Sequence, residues 1–211
     1  MSEIGGNIAL WRQAGPDSIA APGTERRARA WIIRLSTPLQ NGMTEFQIRP
    51  ARQADATVIA RIHASTGACT GMQVPPGDGT SAVELRFWRE AIGYAEPQLH
   101  VACAAQEAVG VVGFDRSRDP GTPPTMGEIW TVQVLPAYWG QGVGLALWDT
   151  AREELVQEGC SEVSIWIGLD NDRGMRFHEL AGFKRVMSSA RTTVQDGVRS
   201  EQIRLKRKLS A

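Results

Sequence analysis

The sequence predicts an α/β chain of the mixed α+β kind, with a central mixed sheet of about six to seven strands flanked by about four helices. Three observations point that way. Short apolar or alternating runs of strand length recur from Phe46 to Leu209, and four stretches between them place apolar residues at helical intervals. The two kinds interleave, so helices must pack on a sheet and not on one another alone. The stretch Val132 to Leu147 passes from β-branched residues through Pro136 and Gly140, Gly142 and Gly144 directly into a helical pattern. That is a strand, a tight glycine turn and the first turn of a helix.

In chain order, residues 1–42 read as lying outside the domain: scattered Gly, Pro and Ala, an arginine cluster at Arg26, Arg27 and Arg29, and one short apolar run, Trp31-Ile32-Ile33. They are expected to be a disordered N-terminal extension or the product of a mis-assigned start, with Met43 opening a domain over 43–211. No run has the length of a secretory signal core. Phe46 to Arg49 alternates as a strand closed by Pro50, and Asp55 can cap a helix that carries Val58, Ile59 and Ile62. A Gly/Thr/Pro-rich loop fills Ser65 to Thr80. Ser81 and Glu84 have capping-box spacing before Leu85, Trp88 and Ile92. His100 to Ala105 and Ala108 to Phe114 form a strand pair turning at Gln106-Glu107, and Arg116 to Thr125, with three prolines, is a loop. Gly127 to Leu135 is the strand before the glycine turn. The helix after it keeps Val143, Leu147, Ala151 and Leu155 on one side and stops at Gly159. A Val/Ile/Trp strand over Ser161 to Leu169 follows. Asn171 or Asp172 caps a short helix ending at Gly182, and two strands, Phe183 to Val194 and Val198 to Leu209, flank Asp196-Gly197.

The chain has 211 residues, a formal charge of zero, 42% apolar and 22% charged residues, which suits one globular domain and gives no electrostatic pull toward nucleic acid or a membrane surface. Arg204, Lys206 and Lys208 alternate with Ile203, Leu205 and Leu209 and are the solvated face of a strand. Cys69, Cys103 and Cys160 are odd in number and follow no metal-ligand spacing, which fits a reducing cytoplasm and no metal.

The glycine turn carries the chemistry. The first amides of a helix lack internal partners and sit at the positive end of its dipole, and the glycines clear side chains from their path, so the turn is a phosphate cradle built from backbone. A Walker loop requires Gly-Lys-Ser/Thr, and no lysine is near. A dinucleotide fingerprint requires a third glycine where Leu145 stands. The spacing resembles motif A of the GNAT acetyltransferases, Arg/Gln-x-x-Gly-x-Gly/Ala, with Trp139 in the first position and Gly142 and Gly144 in the others. A second stretch, Asn171-Asp172-Arg173-Gly174-Met175-Arg176-Phe177-His178-Glu179-Leu180-Ala181-Gly182-Phe183, resembles the family's Asn-x-x-Ala-x-x-Phe-Tyr-x-x-x-Gly-Phe. Gly174 departs from its alanine and His178 from its tyrosine. The element order also matches, over Phe46 to Leu209.

The resemblance implies the acyl-CoA N-acyltransferase fold and acetyl-CoA as co-substrate. The strand before the glycine turn would splay from its neighbour, so that the backbone around Val132, Gln133 and Val134 binds the pantetheine arm. Trp139, Gly140, Gln141, Gly142, Val143 and Gly144 would hold the pyrophosphate, with Asn171 and Phe177 on the far wall. It implies two candidate catalytic residues. Glu128, which a period of two would place on the same face as Val132, matches the strand glutamate serving as general base in some members; pairing with Arg116 is the alternative. His178 stands where a tyrosine protonates the departing thiolate; it either takes that role or packs on its helix. His63 and His100 read as structural. Trp88, Trp130 and Trp139 are an aromatic wall or core.

An acceptor site is expected between the 65–80 loop, the second helix and the last hairpin. The function implied is direct acetyl transfer to a primary amine of a small or amino-acid-like molecule. A non-catalytic acyl-CoA sensor and a protein lysine or N-terminal acetyltransferase are the alternatives. No nucleic-acid or membrane partner is expected, and a homodimer is left open.

Overall fold

A computed structural model describes residues 31–34, 45–66, 74, 77–195 and 198–209. One sheet of eight strands organises it, in the order β1-β2-β3-β4-β5-β6-β8-β7. The strands are β1 (Trp31–Arg34), β2 (Glu45–Pro50), β3 (Gln98–Ala104), β4 (Glu107–Arg116), β5 (Met126–Val134), β6 (Glu162–Gly168), β7 (Lys184–Gln195) and β8 (Val198–Lys208). The helices are α1 (Ala56–Thr66), α2 (Ala82–Tyr94), α3 (Val143–Gln157) and α4 (Asp172–Leu180). Every neighbouring pair is antiparallel except β5 and β6. The mixed sheet and its four helices are as expected, with β1 added: the Trp31-Ile32-Ile33 run joins the sheet edge by pairing with β2. The rest of 1–42, and 67–73 with Cys69, lie outside the described residues.

Two cores sandwich the sheet. On one face α3 inserts Leu147, Trp148, Ala151 and Leu155 against Val112, Phe114, Ile129 and Val163. On the other, Ile59 and Ile62 of α1 and Trp88 of α2 pack on Val101, Cys103 and Val111. Trp88, His63 and His100 are thus core residues, as a structural role requires. No helix among the described residues is long and apolar enough to cross a membrane.

Local sequence explains the helix starts. Ser81 Oγ accepts the Glu84 amide at 3.2 Å, while Glu84 Oε2 accepts from Ser81 Oγ and the Gly79 amide at 3.0 Å each. Asp55 does not cap α1; it closes the preceding 3₁₀ turn by accepting the Arg52 amide at 2.7 Å and pairs with both terminal nitrogens of Arg49. The β3–β4 turn falls at Ala105-Gln106, both with positive φ, one residue before the expected place.

Two features of β5 set up the site. Its pairing with β6 runs only from Met126↔Glu162 to Ile129↔Ile165, although both strands continue. Beyond Ile129 the sheet is split. Its pairing with β4 shifts register between Gly113↔Thr131 and Phe114↔Ile129, so Trp130 is an extra residue, a β-bulge. The bulge reverses the alternation. Ile129, Val132 and Val134 all pack in the α3 core, while Trp130 packs in the α1–α2 core. Glu128 therefore does not share a face with Val132, contrary to a strict period of two.

Candidate functional site

Where β5 leaves β6, its backbone is open. The Leu135 amide bonds Val109 O on β4 at 2.9 Å, and an antiparallel ladder alternates, so the peptide groups of Val132 and Val134 point away from β4 into the split. The split opens on a cavity of about 320 Å³. Val132, Gln133 and Val134 line one side of it. A short 3₁₀ turn, Pro136–Tyr138, and the glycine turn line the end, and Asn171, Phe177 and His178 of the α4 region line the far wall.

The glycine turn has the backbone geometry that a cradle requires. Gly140 and Gly142 have φ of 73° and 82°, a region costing other L-residues about 1–2 kcal/mol. Space where a Gly140 side chain would stand is open. Gly142 is the N-cap of α3, a helix of fifteen residues whose first turn supplies amides without intrahelical partners. Eleven of the expected cofactor-site and catalytic residues meet here: Val132, Gln133, Val134, Trp139, Gly140, Gly142, Val143, Gly144, Asn171, Phe177 and His178 all line the cavity. Gln141 does not. Its side chain turns back to donate to Ala137 O at 2.8 Å, because its neighbours' positive φ values reverse the chain there. Sequence reasoning missed Thr66, Tyr138, Leu145, Arg173 and Gly174 among the lining residues. Of these, only Gly174 carried a sequence signal, as a departure from alanine.

Gly174 is explained by Asn171. The asparagine Oδ1 caps α4 by accepting the Gly174 amide at 2.9 Å, and a Cβ on Gly174 would stand 2.2 Å from Asn171 Nδ2. The glycine lets that side chain fold over the helix start.

His178 is 4% exposed and sits between the rings of Phe177 and Phe183. Its Nδ1–H donates to Gly174 O at 2.8 Å, which leaves Nε2 as a lone-pair acceptor, buried and without a partner. Burial lowers its pKa to about 4, so the ring is neutral near pH 7. The geometry thus leaves His178 with a buried lone pair on Nε2 and no spare proton to hand a thiolate.

Glu128 does not line the cavity. It lies one residue before the sheet parts, 3% exposed, on the α1–α2 face. Its partner is Ser117, whose Oγ donates to Oε2 at 2.9 Å; Arg116 instead donates to the carbonyls of Pro124 and Glu158. Burial raises its pKa above the ordinary carboxylate value, with Ser117 and the charge of Arg191 opposing. Across the split on the same face, Trp166 donates its indole N–H to Asp119 at 2.8 Å, Asp119 pairs with Arg204, and the Arg191 guanidinium lies 3.5 Å over the Trp166 ring. A shielded carboxylate of raised pKa thus stands beside the parting, opposite the face covered by α3.

Comparison with known proteins fits this geometry. A family model described as acetyltransferase (GNAT) family matches residues 68–183. A mycothiol acetyltransferase of Actinosynnema mirum is 27% identical over 200 residues, covering 87% of this chain and 62% of its own. One from Kocuria rhizophila is 33% identical over 101 residues, 46% of this chain and 33% of its own. The chain therefore spans between one third and under two thirds of these relatives' length. Among solved structures, yncA from Salmonella typhimurium with its cofactor acetyl-CoA has a TM-score of 0.61 at 22% identity, over 79% of this chain and 95% of its own. An N-acetyltransferase from Staphylococcus aureus Mu50 has a TM-score of 0.61 at 15% identity, over 78% and 99%. At these identities the likeness is one of fold.

Proposed function

Since the chain belongs to the GNAT acetyltransferase family, we propose that it transfers an acetyl group from acetyl-CoA directly to a primary amine of a small molecule. The observation that carries this is the split sheet: β5 continues past its last pair with β6 and turns the peptide groups of Val132 and the Val134 amide toward a cavity that ends at the amides of the glycine turn. A pantetheine arm has amide groups that can pair with such a strand, and a diphosphate suits the N-terminus of α3. Acetyl-CoA supplies an activated acyl thioester.

The residues divide the remaining work. Val132 and Val134 hold the arm by backbone, and the amides around Gly142 to Gly144 take the diphosphate. Phe177, packed against Gly144 so closely that a Cβ there would stand 3.3 Å from its ring, closes the wall. The acceptor amine enters from the α1–α2 side. An amine of pKa about 10.4 arrives protonated and must lose that proton before it attacks. Glu128, desolvated beside the parting, is the base, and Ser117 orients it. A thiol of pKa about 8.5 leaves as thiolate without a strong acid, so His178 serves as a hydrogen-bond acceptor in the wall and not as proton donor. The mycothiol acetyltransferases among its relatives favour a small-molecule acceptor over a protein. The buried free thiols of Cys103 and Cys160 fit the reducing cytoplasm.

The test is thiol release from acetyl-CoA by the full chain across a panel of small amines. Release that depends on one class of amine is expected. Binding of acetyl-CoA with no amine-dependent release would instead make the protein an acyl-CoA sensor.

A further inference from the structure

The cradle has an electrostatic gap. Coenzyme A carries several negative charges on its diphosphate and ribose phosphate, and the loop Trp139 to Gly144 contains no basic side chain. Where the resembling motif places arginine or glutamine, this chain has Trp139. Its indole N–H donates to Val134 O at 2.6 Å, which fixes the ring at the cavity mouth with 39% of its surface exposed.

We infer that Arg173, stacked on Trp139, is the cation that reads the ligand's phosphates, a proposal that rests on the acyl-CoA reading above. Arg173 comes from the opposite wall, in the first turn of α4, and its guanidinium carbon lies 3.6 Å from the Trp139 ring centroid. Among the described residues it is the one cationic side chain that lines the cavity, since His178 is neutral, and none of the described lining residues is a carboxylate. Among the described residues Arg173 forms no ion pair. A guanidinium whose carbon lies over a ring still has N–H groups to donate away from it, and its fork suits paired contacts to phosphate oxygens. Trp139 is then a platform in place of the charge that the motif supplies, and the charge arrives from across the cavity. The phosphate site is completed by two elements, the turn before α3 and the first turn of α4.

Titration calorimetry on the full chain tests this with two ligands, acetyl-CoA and acetyl-pantetheine, the second lacking every phosphate. Arg173→Ala is expected to weaken acetyl-CoA roughly tenfold or more, as loss of a charge-assisted contact does, and to leave acetyl-pantetheine unchanged. Raising the salt concentration should weaken acetyl-CoA binding more in wild type than in R173A. Arg173→Lys, which keeps the charge without the planar stack, should fall between them. Arg173 is exposed, so the variants keep the fold and an unchanged melting temperature verifies it. Wild-type affinity retained in R173A, or equal losses for both ligands, overturns the assignment of Arg173 while leaving the acyl-CoA reading standing. Failure of wild type to bind acetyl-CoA removes both.

Discussion

Burial sets the protonation of both Glu128 and His178. Glu128 loses solvation, so its carboxylate holds a proton to higher pH than an exposed one. A base must be ionised to act, so the rate should fall as pH drops through this raised value. Glu128→Gln is expected to lower kcat by about a hundredfold with the KM for acetyl-CoA unchanged, and to remove the acid limb of the pH profile. Ser117→Ala removes the hydrogen bond that favours the ionised form and should move that limb to higher pH. A profile identical to wild type in both variants would exclude Glu128 as base. For His178, burial and the bond to Gly174 O fix a neutral tautomer, something a one-for-one substitution of tyrosine does not reveal.

The same burial sets the acid stability. His100, stacked on Phe114, and His178 both have pKa values lowered to about 4 from an ordinary 6.5. The unfolded chain binds their protons first as pH falls. Their stabilising contribution is therefore fully present above about pH 6.5 and is lost progressively between 6.5 and 4. At pH 5 the loss is about 2 kcal/mol for each. Thermal melts at pH 7 and 5 should show it, and His100→Phe should shrink the difference. Melting temperatures equal at the two pH values would contradict the buried, neutral rings.

At the level of elements, most of the layout was readable. Alternation in β2, β3 and β8 and the four-residue steps of α3 are local signals, and they gave the sheet and its helices to within a few residues. The bulge at Trp130 was not readable. Glu128-Ile129-Trp130-Thr131-Val132-Gln133-Val134 alternates plausibly in two registers, and only pairing with the shorter count on β4 decides between them. The Arg173–Trp139 stack was hidden for a similar reason, since it joins side chains from separate elements. Glycine patterns were more informative. Gly142→Ala forces positive φ on a residue with a Cβ at the N-cap of α3, and should cost about 1–2 kcal/mol and weaken acetyl-CoA binding. Gly174→Ala displaces the Asn171 cap and should cost about 1 kcal/mol in a denaturant titration. Unchanged midpoints in both variants would argue against these roles.

Over the whole molecule, two cores hold a sheet that is continuous at one end of β5 and divided at the other. The α3 core binds β5 and β6 to the same helix where they pair, so their divergence after Ile129 is a fixed property of the framework. The division brings the open edge of β5 and the N-terminus of α3 to one cavity, with Asn171, Phe177 and His178 from the α4 region as its far wall, and leaves Glu128 beside the parting on the other face. The most direct test is a crystal structure grown with coenzyme A. The expected result is pantetheine lying along β5 with its amides on the backbone of Val132 and Val134 and the diphosphate on the amides of Gly142 to Gly144. Coenzyme A bound elsewhere, or a split closed by β6 with no ligand at millimolar excess, would contradict it.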